Sequence, residues 1–355
     1  MIKEVNTLSG FNQIEHLWDD LYRRSQVRNL FLTHAWLRLW IKHFGAGQTF
    51  ALLYLPDGAD RLEAGAVLKR HGKVISFIES DFSAYPDFLA TPASTGRIGE
   101  FLAYLKATYF PSKFVFADTS INSILCRSVN RLTKERWLPI FKYPSAMRSV
   151  NVAGTFDSYL AAQGAKVRSE MRRKVRRAQR DYQLSLRLFA QQGERDEVFE
   201  LIRRVEQDSW KAQVGSAIIY NGDQMYFYQE VFDYYAKRNE ARVYCLYFND
   251  QPVSFVFGIL SERRYYALKT SYRLLYREYA PGLVLFFKVL ESFFHNKEAD
   301  RLEFLGSDAR WKEEFSNHRE DFCTLELYPM GLKSISYHVL YRYIRPIVKR
   351  LRIRS

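Results

Sequence analysis

One pattern is used twice in this chain, and that repetition limits its fold more than any other feature. A helical stretch from Phe11 to Arg24 sets Ile14, Leu17, Trp18 and Leu21 on one face, and Thr33 is placed to cap a second helix, Ala35 to Phe44, closed by Gly45. Strand-like runs follow at 50–55, 62–69 and 74–78, punctuated by Pro56-Asp57-Gly58 and His71-Gly72. A helix over 97–109 and a short strand over 114–116 complete the first half. The second half has helices over 195–210 and 223–237, then strands over 242–248, 253–260 and 265–270 with polar turns between them. Phe50–Leu55 matches Arg242–Tyr247 in character, and Ala64–Leu68 matches Phe255–Ile259. Two helices and then an antiparallel meander, twice, predict a duplicated α/β (α+β) chain of mostly antiparallel mixed sheets flanked by helices. The expected limits are 1–150 and 151–330 for two domains, with the linker around 150–156, and 331–355 for a basic tail.

At 355 residues with 47% hydrophobic content, each half can bury its own core. The 24 Tyr and 27 Phe fill such cores and also line clefts for elongated ligands. Cys126, Cys245 and Cys323 lack metal-ligand spacing and form no disulfide framework, so no metal is expected and a reducing compartment is. Cys245 lies in an apolar run and reads as a buried thiol. The first residues lack the apolar stretch of a secretory signal, and no window reaches the roughly 18 apolar residues of a membrane span. A cytoplasmic location is the expectation.

The net charge of +14 is concentrated. Lys166–Arg180 holds eight basic residues and one acid, Glu170, and Gly331–Ser355 holds seven basic residues and no acid. Together they account for the whole excess. The first segment reads as an amphipathic helix with Val167, Met171, Val175 and Ala178 on one stripe. Its cationic face suits a ribose phosphate, a polyanionic carrier, or plain solvent. In the tail, Leu340, Ile344, Ile347 and Leu351 oppose Arg342, Arg345, Lys349 and Arg352, with Pro346 as a kink. That composition suits a helix lying on an anionic membrane surface, at the inner face of the cell membrane, or a cationic tail that docks a partner.

Four blocks carry a family resemblance. They are Phe31-Leu32-Thr33-His34-Ala35-Trp36-Leu37, Glu206-Gln207-Asp208-Ser209-Trp210-Lys211-Ala212-Gln213-Val214-Gly215-Ser216, Glu278-Tyr279-Ala280-Pro281-Gly282-Leu283-Val284-Leu285, and Leu305-Gly306-Ser307-Asp308-Ala309-Arg310-Trp311-Lys312-Glu313-Glu314-Phe315. In that order, over residues 10 to 330, the chain resembles the CelD/BioF2-like acetyltransferases of the GNAT superfamily, which are related to the Fem-type aminoacyl transferases. The resemblance implies tandem GNAT-like domains, with acetyl-CoA or another acyl-CoA as co-substrate bound by the second. It also implies an amine acceptor on a sugar or glycan intermediate of exopolysaccharide or envelope synthesis.

The residues sort by chemical task. Holding a pyrophosphate needs backbone N–H groups at a helix start, which Pro281-Gly282 offers within the segment Tyr279, Ala280, Pro281, Gly282 and Leu283. Only one glycine is present there, against the (Q/R)xxGx(G/A) pattern common in GNAT domains. Strand 265–270 leads to this helix, and in the family the equivalent strand splays from its neighbour to expose backbone groups. Asp308 and Lys312 are four apart, as on one helical turn, which suits a general base beside a charge-neutralising cation or an ordinary surface ion pair. Tyr266 is a candidate acid for the leaving thiolate, and Trp210, Lys211 and Ser216 are candidates for the acceptor cleft. His295 reads as structural. A Fem-like ligase using aminoacyl-tRNA, gripped by 166–180, is the alternative, although no sustained heptad run offers the helical arm such enzymes carry. A non-catalytic GNAT-like assembly factor is a third reading. Nothing points to DNA.

Overall fold

The computed structural model describes residues 1–45, 47–56, 60–78, 83–306 and 308–340. The chain divides into two compact units, one formed by Met1–Ser145 and the return from Asp321, the other by Ala146–Glu320.

In the first unit, β1 (Ile2–Val5) is followed by helices α1 (Leu8–Gln13) and α2 (Glu15–Arg24), which interrupt the single expected helix at Ile14. Helix α3 (His34–Phe44) starts as read, with the Thr33 hydroxyl accepting from Trp36 N–H at 3.3 Å. Strands β2 (Thr49–Tyr54), β3 (Ala64–His71) and β4 (Val74–Phe77) form the expected meander, with the short β5 (Leu89–Ala90) on β3. Helix α4 (Ile98–Tyr109) leads into β6 (Lys113–Ser120), which runs parallel to β4 over a short ladder from Val74↔Lys113 to Ser76↔Val115. Two short helices, α5 (Ile124–Arg127) and α6 (Val129–Lys134), precede β7 (Trp137–Asn151), whose last residues enter the second unit.

The second unit opens with α7 (Phe156–Ala162) and α8 (Ala165–Asp181), then β8 (Leu184–Phe189). Helices α9 (Arg195–Gln207), α10 (Trp210–Gln213) and α11 (Gly222–Ala236) precede the meander β9 (Ala241–Phe248), β10 (Gln251–Ser261) and β11 (Arg264–Tyr272). Helix α12 (Pro281–Asn296) then leads to β12 (Arg301–Glu303) and α13 (Arg310–Phe315). The sheet runs β7-β12-β11-β10-β9-β8, antiparallel except at β11–β12. That parallel pair also spans three residues, from Arg264↔Arg301 to Tyr266↔Glu303. Meander, helix and short parallel partner therefore recur in both units, which is the duplication read from sequence.

The domain limits differ from expectation. Strand β13 (His318–Pro329), expected in the second domain, pairs antiparallel with β6 from Phe322↔Ser120 to Leu327↔Phe114, and buries Leu325 and Leu327 in the first unit's core. Its Glu326 accepts from Lys113 at 2.9 Å and Lys142 at 2.5 Å, so its charge is balanced on burial. The tail begins with α14 (Leu332–Val339), and the stripe and kink expected beyond Leu340 lie outside the described residues. Among the described residues, no helix is long and apolar enough to cross a membrane.

The core of the second unit forms between the sheet and helices α7, α8 and α12. Helix α12 contributes Val284, Leu285, Phe286, Val289, Leu290 and Phe293, and each such side chain contributes on the order of 2 kcal/mol by leaving water. The basic helix α8 lies on this core through Met171, Val175 and Ala178, with Val167 packed beside them, as its periodicity predicts. Gly258 allows β10 to pass Tyr265, because a Cβ there would stand 2.3 Å from the ring.

Candidate active site

The edges of β11 set the geometry. After Tyr266 its ladder with β12 ends, while pairing with β10 continues from Ala267 to Tyr272. Beyond Glu303 the chain turns to β7, where the Phe304 N–H bonds the Arg148 carbonyl at 3.1 Å, and Leu305 and Gly306 take left-handed conformations (φ +50° and +63°). The diverging strands leave one edge of β11 without β12 over 267–272. The β10–β11 register also skips Leu268, since Phe257 opposes Lys269 and Gly258 opposes Ala267. This bulge lies just past the point of divergence.

Helix α12 begins beside the same strand. Ala280 precedes it in the left-handed conformation, Pro281 fixes its first turn, and the Ala280 carbonyl accepts from Leu283 N–H (2.9 Å) and Val284 N–H (3.1 Å). Pro281 has no N–H, so Gly282 is the residue of this turn left to offer one outward. A Cβ added to Gly282 would meet Tyr272 at 3.7 Å, an ordinary contact. Tyr279 braces the turn: its hydroxyl donates to Asp181 at 3.2 Å, and the Arg177 guanidinium covers its ring at 4.9 Å. The offered amides are thus fewer than the segment 279–283 suggests. Helix α8, which carries the basic run, packs against α12. Four of its basic residues face carboxylates: Arg172 with Asp157, Lys174 with Glu170, Arg177 with Glu278, and Arg180 with Asp181. A cleft between α8, α12 and α13 is lined by Val167, Met171, Lys174, Leu283 and Phe287.

Asp308 and Lys312 do not share a helical turn. Helix α13 starts only at Arg310, and the Asp308 carboxylate is held by Arg148 at 3.1 and 3.4 Å. Lys312 is buried, with its ammonium donating to the Leu305 carbonyl at the end of β12. Burial pulls its pKa down to about 8, against the opposing pull of Asp308. Its neighbour Trp311 packs on Phe286 and Phe304, which fixes α13 against α12. Tyr266 is buried in the paired part of β11, two residues before the bulge.

Trp210 is exposed (44%), Lys211 is half-buried and Ser216 is exposed, all on the segment between α9 and α11. Beneath them lies Glu206, which sequence reasoning did not single out. Its side chain is fully buried, and Oε2 accepts from Ile218 N–H at 2.7 Å and Ile219 N–H at 3.4 Å. Burial raises its pKa, while Lys211, those two amides and Lys269 act in the opposite direction. The available signal was a carboxylate in the apolar stripe of α9, one turn after Ile202 and beside Val205.

Comparisons with known proteins agree with this geometry. Residues 165–313 match the family model described as an acetyltransferase (GNAT) domain. No curated protein matches the sequence. The crystal structure of FemX superposes with a TM-score of 0.61 at 9% identity, covering 94% of this chain and 99% of that one. The C-terminal domain (DUF2156) of a putative lysylphosphatidylglycerol synthetase from Agrobacterium fabrum gives 0.56 at 11% identity, with 93% and 97% covered. A tandem GNAT protein from the clavulanic acid biosynthesis pathway gives 0.50 at 11%, with 93% and 99% covered. The fold of the two units is similar to that of the tandem GNAT protein, and the segment 165–313 is similar to a GNAT domain.

Proposed function

We propose that the protein is an acyltransferase that moves an acyl group, acetyl in the simplest case, from an acyl-CoA thioester to an amine on a sugar or glycan intermediate of exopolysaccharide or cell-envelope synthesis. The observation that carries this reading is the edge of β11 over 267–272, released from β12 directly beside the Pro281-Gly282 helix start. An extended pantetheine arm has the hydrogen-bonding pattern to pair with such an edge, and a helix start with a cationic neighbour favours phosphates. A thioester carbonyl near the bulge would be polarised by a backbone N–H of β11. Lys312 acts in this reading as a positioning residue, because it holds the Leu305 turn that carries the chain away from β11. Calorimetric titration with acetyl-CoA tests the reading, and no heat of binding to the folded protein would overturn it.

The alternative is a Fem-like ligase that takes its acyl group from aminoacyl-tRNA. The exposed basic residues of α8 and the similarity to FemX and to a lysylphosphatidylglycerol synthetase domain favour it. Saturable, salt-sensitive binding of charged tRNA in place of acetyl-CoA would select it. For residues 331–355 we propose contact with anionic membrane, on the charge and apolar stripe of their sequence. A protein ending at Met330 that co-sediments with anionic vesicles as well as the full chain does would exclude the tail as the anchor.

A further inference from the structure

Among the described residues of the second unit, the buried atoms Glu206 Oε1, Gln224 Oε1 and Ser271 Oγ have no hydrogen-bond partner in the protein. They come from the end of α9, the start of α11 and the last part of β11. Helix α9 packs on both α11 and β11. Ser271 and Lys269 point to the same side of the sheet, since their partners Phe255 and Phe257 alternate with residues of the α12 core, and Lys269 lies over the ring of Tyr228 on α11. Orphaned buried acceptors are rare in folded proteins, and three around one junction call for a common partner. Two cations attend them, because Lys211 from α10 and Lys269 from β11 both act electrostatically on Glu206. The covering segment leaves Trp210, Val214, Tyr220 and Tyr226 in solvent. Exposed aromatic side chains of this kind suit the flat faces of a sugar ring.

We infer that this junction is the acceptor site, and that it takes a primary amine bearing a nearby anionic group, a carboxylate or a phosphate, with the amine at Glu206 and the anion toward Lys211 and Lys269. The inference rests on the acyltransferase reading and adds to it the acceptor's chemical class and the residue that takes its proton. Glu206 suits an ammonium and the two lysines that act on it suit an anion, so the two signs of charge together favour a zwitterion. Ile218 and Ile219 hold Oε2, so Oε1 faces the amine. Glu206 removes one proton from the bound ammonium, and the two lysines lower that ammonium's own affinity for it. The freed amine nitrogen attacks the thioester carbonyl, forming the C–N bond as the carbonyl π pair moves to oxygen. That pair returns as the C–S bond breaks. The nitrogen's remaining surplus proton goes to the departing thiolate, and Glu206 releases its own to solvent. Lys269 lies one residue past the Leu268 bulge, so the amine site adjoins the strand edge assigned to the thioester.

The test uses the full chain and Glu206→Gln, which keeps the shape and an oxygen for the two amides while removing the charge. Binding is measured by calorimetry without any acyl donor, using glucosamine 6-phosphate, glucosamine, glucose 6-phosphate and L-glutamate as probes. Wild type should bind a probe with both charges at least about tenfold more tightly than either singly functional sugar, and Glu206→Gln should erase the advantage of the amine. The sugar phosphate and the amino acid distinguish phosphate from carboxylate as the anion. With acetyl-CoA present, the variant should lose about a hundredfold or more in kcat/KM, keep its affinity for acetyl-CoA, and lose the acid limb of the pH–rate profile. If glucosamine alone binds as well as its phosphate, or if the variant binds and turns over like wild type with the same pH profile, the assignment fails. If acetyl-CoA does not bind while the charge-dependent probe binding holds, the acyl donor has been misidentified and the amine site stands.

Discussion

Arg273 donates to Asp208 from Nε at 3.1 Å and from Nη2 at 2.8 Å, and the adjacent Leu274 N–H meets the Asp208 carbonyl at 2.8 Å. These bonds tie the segment leaving β11 to the segment leaving α9, which joins the strand proposed to hold the thioester to the loop that covers Glu206. Arg273→Ala should cost about 1 kcal/mol or less, because Asp208 is half exposed to solvent. The larger effect should be on the acceptor: its KM should rise several-fold with acetyl-CoA affinity unchanged. Unchanged hydrogen-exchange protection at Leu274 in the variant would show that the backbone bond suffices without the side chain.

Gly258→Ala should destabilise the second unit by about 1–3 kcal/mol or prevent its folding, since the new methyl group meets the Tyr265 ring at 2.3 Å. Tyr265 cannot easily withdraw, because it sits fully buried between Tyr244 and Phe293. Gly282→Ala, with 3.7 Å to its nearest neighbour, serves as the control and should leave the melting temperature nearly unchanged. Equal melting temperatures for the two variants would contradict the packing described.

Gly282→Asp adds a carboxylate at the start of α12. The helix itself should tolerate it, since an acid near an N-terminus is favourable. Acetyl-CoA binding should nevertheless be lost, because the new charge would repel the phosphates. Full affinity in a folded variant would remove this turn from the donor site.

Lys312 has a sign that can be checked. Its pKa is about 8 in the folded chain against 10.5 when unfolded, so between those values the unfolded state holds more protons. Stability from this group therefore rises with pH across that window, and below it the buried ammonium is a net cost on the order of 2–3 kcal/mol. Lys312→Met should equal or exceed wild type in melting temperature at pH 7, with the difference shifting toward wild type by pH 10. Its turnover should fall by roughly tenfold or more if the Leu305 turn must be held for catalysis. A pH-independent difference in stability would mean that the ammonium is not buried as described.

The repeated order of helices and meander was legible in the sequence because both periodicities are strong at those places, as in α8 with Met171, Val175 and Ala178 inward. The strands β7, β12 and β13 were not. Strand β12 has three residues, and β7 and β13 alternate polar and apolar positions too irregularly to stand out. Their pairing depends on partners far along the chain, which is why the limits at 150 and 330 fell elsewhere. The start of α12 was legible from Pro281-Gly282, a proline at the first helical position. Glu206 was hidden because a carboxylate near the end of a helix looks solvated until the covering segment is in place. The helical turn expected to carry both Asp308 and Lys312 does not form, since α13 starts only at Arg310 and four residues imply a shared face only inside a helix.

The extra residue at Leu268 changes the phase of strand β11. Up to Ala267, odd-numbered side chains enter the α12 core, whereas Lys269 and Ser271 turn to the opposite side. An uninterrupted strand of the same composition would aim an ammonium and a hydroxyl into packed aromatic rings and present Leu268 and Thr270 to the polar junction. Taking Leu268 into the ladder would invert the second half of the strand, whereas deleting it would leave a regular ladder with Lys269 and Ser271 facing as they do now. The division of labour along β11, oily at its start and ionic at its end, is thus encoded by register rather than by composition alone.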